Sequence, residues 1–182
     1  MTLEELALQG KPSVYNSMAA SVASKLVDIR KEFIRLSLCD FENEEHRLEF
    51  VARIHGIDFI NDSKATKVNG AWYALESINT PIIWIAGGVD NGNNYQKLED
   101  LVLKKVKALI CLGVDNTELI EFFGDKIPSV YQTQSMEQAV VTAYSIGKNG
   151  DTALLSPACA SFDLFENMED RGNKFKQAVR NL

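Results

Sequence analysis

From residue 46 onward the sequence alternates short apolar runs with amphipathic stretches, and that alternation leaves few ways to fold. The apolar runs cover 57–60, 81–86, 108–112, 129–131 and 152–155. The stretches between and after them predict helices over 67–78, 95–105, 116–123, 135–146 and 163–180. Strands this short and this uniformly apolar are covered on both faces, and each intervening helix is the crossover that parallel neighbours require. The expected fold class is α/β, a Rossmann-like, doubly wound, mostly parallel sheet. It opens with a β-hairpin, because 48–54 and 57–60 are strand-like runs separated only by His55-Gly56. Upstream, residues 14–27 are rich in Ala and Ser with Met18, Val22 and Leu26 at i, i+4 and i+8, which predicts a helix packing closely on something. Residues 32–38 predict a second helix. Two such helices form no core of useful size, and the acidic stretch 41–45 marks a boundary. Residues 1–45 therefore read as an extension or cut end, and 46–182 as the domain.

Composition excludes several classes of function. The net charge is -6 with lysine and arginine scattered rather than clustered, which argues against a nucleic-acid surface and leaves a small anionic ligand open. Three cysteines, Cys39, Cys111 and Cys159, make an odd set without C-x-x-C spacing, so reduced thiols and no metal site are expected. No basic leader and no membrane-length apolar run occur, which places the chain in the cytoplasm.

In an open parallel sheet, ligands bind beyond the carboxyl ends of the strands, so the loops that follow the strands carry the chemistry. Four stand out: Asn61-Asp62-Ser63-Lys64-Ala65-Thr66, the glycine- and asparagine-rich 87–94, Gly113-Val114-Asp115-Asn116, and Ser156-Pro157-Ala158-Cys159-Ala160-Ser161-Phe162-Asp163. The first sets a carboxylate, two hydroxyls and an ammonium within one turn. Its residues read either as turn and cap groups, with Ser63 or Thr66 capping the next helix, or as the floor of an anion site. Gly87-Gly88 lacks G-x-G-x-x-G spacing and reads as a tight turn rather than a dinucleotide site. Cys159 has no histidine in a comparable loop to activate it, so a buried thiol is expected. Ser161 reads as a helix cap or an anion contact.

The two longest of these loops carry a resemblance. D-S-K-A-T at 62–66 and S-P-A-C-A-S at 156–161, with Asp163, Phe165 and Arg171-Gly172-Asn173 following, resemble the Mur ligases over essentially the whole chain, nearest to members that add D-glutamate. The resemblance implies that 46–182 is the Rossmann-like C-terminal ligase domain and 1–45 the helical tail of a central ATPase domain. It also implies peptidoglycan-precursor synthesis, in which an acyl-phosphate is converted to an amide. The complete enzyme would use ATP and Mg²⁺, D-glutamate and UDP-N-acetylmuramoyl-L-alanine, together with N-terminal and central domains that this chain lacks. No G-x-x-x-x-G-K-[ST] occurs, so no activity is expected from the chain alone. By the same resemblance Lys64 is catalytic. Thr66, Ser161, the backbone at Phe162 and the residue at Asn91 meet the amino acid, Asn16 meets the adenine, and Arg47 and Asp62 reach the nucleotide.

The chain departs from the family pattern at several of these places. Asn91 stands where the family has lysine, Pro12-Ser13 where it has His-Asn, Lys67 where it has asparagine, and Met168 where it has an aromatic. Lys67 is a candidate to replace the charge missing at Asn91. These departures keep a second reading open: a stand-alone scaffold or binding module, diverged or engineered, that retains the fold without the chemistry.

Overall fold

The computed structural model describes residues 11–39 and 44–182. The chain divides into two compact units, one ending at Glu44 and the other spanning Glu45–Leu182. In the first unit, α1 (Lys11–Leu26) ends where Asp28 turns left-handed, at φ 57°, and the amides of Asp28 and Ile29 close onto the carbonyls of Lys25 and Ser24. Helix α2 (Lys31–Cys39) follows. Within this chain the stripe expected to pack closely stands open: Met18, Val22 and Leu26 are 58%, 61% and 81% exposed. Two helices of 16 and 9 residues cannot enclose each other's apolar faces.

The second unit contains β1 (Glu49–Ile54), β2 (Ile57–Asn61), α3 (Val68–Ser77), β3 (Ile82–Ala86), α4 (Glu99–Lys105), β4 (Val106–Leu112), α5 (Thr117–Phe123), β5 (Val130–Thr133), α6 (Met136–Ile146), β6 (Thr152–Leu155) and α7 (Met168–Arg180). The sheet order is β1-β2-β6-β3-β4-β5. Strands β1 and β2 are antiparallel and every other pair is parallel. His55 and Gly56, at φ 48° and 81°, close the hairpin as a tight turn whose backbone twist matches that of the strands. The central strands are buried on both faces, which is why they read as continuous apolar runs. On one face Ile82, Trp84, Ala86 and Leu154 pack with residues of α3, α4 and α5. On the other, Ile83, Ile85, Ala153 and Leu155 pack with residues of α6 and α7. The sheet is doubly wound, as expected.

Four local expectations need correcting. The last helix begins at Met168 rather than 163, because Asn167 is extended and its side chain accepts the Asp170 amide at 2.7 Å, a cap that fixes the start. Residues 162–164 form a turn instead, closed by Phe165 N donating to Ser161 O, so Ser161 caps no helix. Neither Ser63 nor Thr66 caps α3, whose N-cap position is Lys67 without a side-chain bond. The predicted helix over 95–105 is a 3₁₀ turn over Tyr95–Leu98 running into α4.

Helix α7 lies against the segment that leads into β1. At Gly172 a Cβ would sit 2.3 Å from His46 Nδ1, and His46 is itself buried and bonded to Asn61 Nδ2 at 2.9 Å. Gly172→Ala should lower the stability of the domain by about 1–3 kcal/mol, since neither ring nor helix has room to retreat. Urea denaturation checks this, and an unchanged midpoint would show that the contact is slack.

Candidate functional site

Strand order decides which loops meet. Because β6 lies between β2 and β3, its following loop is flanked by the loops after both neighbours. Hydrogen bonds lock the three together. Asp62 N donates to Leu155 O (2.7 Å) and Ala158 N to Ala65 O (2.9 Å) on one side. On the other, Gly87 N donates to Pro157 O (2.9 Å), and Val89 and Ala160 exchange backbone bonds in both directions. Gly88 allows that approach: at φ 125°, its missing Cβ would lie 2.1 Å from Ala160 O. The fourth loop joins through Asp163, whose Oδ2 accepts Val114 N at 3.0 Å.

Asp62 is 5% exposed, and both its oxygens are engaged. Oδ1 accepts Leu48 N at 3.2 Å and Oδ2 accepts the Ser156 hydroxyl at 2.7 Å. Burial pushes its pKa up to about 7, against the pull of those two bonds and of the Arg47 charge. Arg47 is exposed, in the bend before β1. Lys64 and Thr66 are half-buried, and Ser161 is buried. Among the described residues, neither the Thr66 nor the Ser161 hydroxyl has a hydrogen-bonding partner. Asn91 is exposed in the 87–94 loop, and Phe162 is 73% exposed. Asn16 is exposed on α1, in the other compact unit. The structure thus brings Asp62, Lys64, Thr66 and Ser161 into one bonded frame, with Asn91 and Phe162 on loops of the same frame.

Asp90 organises the 87–94 loop. Its Oδ1 accepts the amides of Gly92 and Asn93, both at 2.8 Å, and its Oδ2 accepts the Tyr95 hydroxyl at 2.5 Å. Cys159 is buried against Tyr95 and Asn93, and burial raises its thiol pKa to about 11, so it is no nucleophile at neutral pH. Between this loop and 113–118 opens a cleft of about 350 Å³ whose lining includes Asp90, Asp115, Glu118 and Asp163. Four carboxylates there oppose a dicarboxylate ligand, whereas Lys64, Thr66 and Ser161 at the β2 and β6 ends suit one. Among the described residues, no group of three His, Cys, Asp or Glu side chains is placed to hold a metal ion.

One buried, bonded side chain of the frame was visible in the sequence only as part of a motif. Arg171 is 1% exposed, and it bonds Ser63 Oγ (3.0 Å), Ser63 O (2.9 Å) and Cys159 O (3.1 Å). Ser63 Oγ in turn donates to Met168 O at 2.7 Å. Arginine among polar neighbours usually signals the surface, so no local pattern announces a buried one.

The family described as Mur ligase, glutamate ligase domain, matches residues 46–159. This chain belongs to the Mur ligase family. It is 56% identical over its whole length to the UDP-N-acetylmuramoylalanine–D-glutamate ligase of Christiangramia forsetii, of which it covers 41%. Among solved structures, the UDP-N-acetylmuramate-alanine ligase MurC of Thermotoga maritima aligns with 97% of this chain and 39% of its own, at a TM-score of 0.70 and 12% identity. MurF ligase of the same organism, in complex with ADP, aligns with 88% of this chain and 36% of its own at a TM-score of 0.57 and 13% identity. The two structural likenesses concern the Mur ligase fold alone. The chain spans about two fifths of the length of the curated relatives it matches. Among the described residues, no helix is long and apolar enough to cross a membrane.

The raised pKa of Asp62 sets a pH dependence. Its carboxyl stays protonated in the fold up to about pH 7 but ionises near 3.8 when unfolded, so its contribution falls as pH rises between those values and is level above them. Asp62→Asn keeps an acceptor for Leu48 N and offers a donor to Ser156. It should remove a pH-dependent loss of about 4 kcal/mol. Urea midpoints of the two proteins from pH 4 to 8 should diverge, and parallel curves would refute the assignment.

Proposed function

We propose that residues 46–182 are the amino-acid-binding domain of a cytoplasmic, D-glutamate-adding ligase of peptidoglycan-precursor synthesis, and that residues 1–45 are the helical tail of its central ATPase domain. The observation that carries the reading is the pair of unengaged hydroxyls, Thr66 and Ser161, held beside Lys64 on two loops bonded to each other. A dicarboxylate leaving water needs donors and a positive charge in fixed places, and these residues supply both. The 56% identity to a ligase named for D-glutamate supports that choice of amino acid.

In the complete ligase, Lys64 is the catalytic cation and stabilises negative charge developing at the reacting centre. Thr66, Ser161 and the Phe162 backbone orient the amino acid for attack on the activated carboxyl of UDP-N-acetylmuramoyl-L-alanine. Arg47, exposed near the buried Asp62 carboxyl, fits a nucleotide contact, and Asn16 is the candidate for the adenine. ATP with Mg²⁺ supplies the phosphoryl group that activates that carboxyl. The sequence contains no phosphate-cradling P-loop, so the chain contributes to this step only with the remaining domains.

The missing P-loop and the departure at Asn91 favour the second reading, a fold kept without its chemistry. Calorimetric titration of the chain with D-glutamate separates the two. The first reading expects saturable binding, tightened about tenfold by Asn91→Lys through a charge-assisted hydrogen bond. No heat from either protein, with both melting cooperatively, would leave the scaffold reading.

A further inference from the structure

Arg171 is the most deeply buried charge in the described domain, and its hydrogen bonds go to neutral groups rather than to a carboxylate. Burial pulls its pKa down to about 10, so it remains a cation. Holding a guanidinium there is costly unless its donors are met in a fixed geometry, and its planar fork does this by spanning two loops. One side grips Ser63, next to Lys64 and three residues before Thr66. The other grips Cys159 O, two residues before Ser161. The backbone bonds from Asp62 and Ala158 join the same loops nearer the strand ends. Arg171 closes the frame above them, on the last link before Ser161.

We propose that Arg171 is a positioning residue that sets the gap between the 62–66 and 156–161 loops, and thereby the length of dicarboxylate the site accepts. This rests on the reading of Thr66, Lys64 and Ser161 as the amino-acid contacts. Arg171 touches no substrate itself. Lysine in its place keeps the charge but presents a single ammonium, so it cannot bridge Ser63 and Cys159 in the same way.

The test is titration of the full chain and its Arg171→Lys variant with D-glutamate and with D-aspartate, one methylene shorter. A fixed gap should favour D-glutamate by about tenfold or more in the wild type. In the variant the preference should shrink to within about twofold, because a loosened pair of loops no longer gauges length. An Arg171→Lys protein with unchanged affinity and preference would overturn the proposal, as would equal weakening toward both ligands. Amide hydrogen exchange supplies the arm that does not need binding. Exchange should quicken at 62–66 and 158–161 while β3 and β4 keep their protection. If the wild type binds neither amino acid, the D-glutamate reading fails, and the exchange pattern alone decides whether Arg171 positions the loops. Should Arg171→Lys not fold, Ser63→Ala removes one acceptor of the clamp, and the same shifts are expected at smaller size. Their absence there would overturn the proposal too.

Discussion

Strand β6 is four residues long, all buried, with a parallel neighbour on each side. Its place between β2 and β3 is the constraint on which the rest depends. The chain runs from β2 to β3 across a gap one strand wide, builds outward through β4 and β5, and returns on the opposite face to fill that gap. Only then do β2 and β3 acquire their missing ladder partners, and only then do the loops 62–66, 87–94 and 156–163 stand side by side. Trp84 records the same closure: its indole N–H donates to Ser156 O at 2.8 Å, tying the core of one face to the start of the central loop.

The site keeps its charges apart by the same architecture. Asp62 and Arg171 are both buried near the central loop, yet their hydrogen bonds are to neutral partners, one from an amide and a hydroxyl, the other to two carbonyls and a hydroxyl. Each ionisable group is thereby fixed in place by neutral hydrogen-bond partners rather than by an opposite charge. The carboxylates of Asp90, Asp115, Glu118 and Asp163 gather on the β4 side, while Lys64 stands at the end of β2. An anionic ligand is drawn to one side of the central loop and repelled from the other.

Much of the fold was legible because its signal is local. A central strand covered on both faces must be apolar at every position, and β3, I-I-W-I-A, is read from five letters. The hairpin turn at His55-Gly56 is equally local. The start of α7 was missed because two signals compete there: a run compatible with helix from 163, and the Asn167 side chain, which caps a later start. The Met18 stripe is a different case, since periodicity shows that a face is apolar but not what covers it.

What the sequence determined by itself was the α/β class, the number and approximate bounds of the strands, and the identity of the loops that carry polar groups, because backbone geometry and burial act over a few residues. What only the tertiary structure decided was the insertion of β6, the meeting of Ser63 with an arginine 108 positions away, and the rise of the Asp62 pKa to about 7.

 Each of those depends on groups far apart in the chain arriving at one place. Burial, desolvation and hydrogen-bond geometry exist only after the sheet has closed around them.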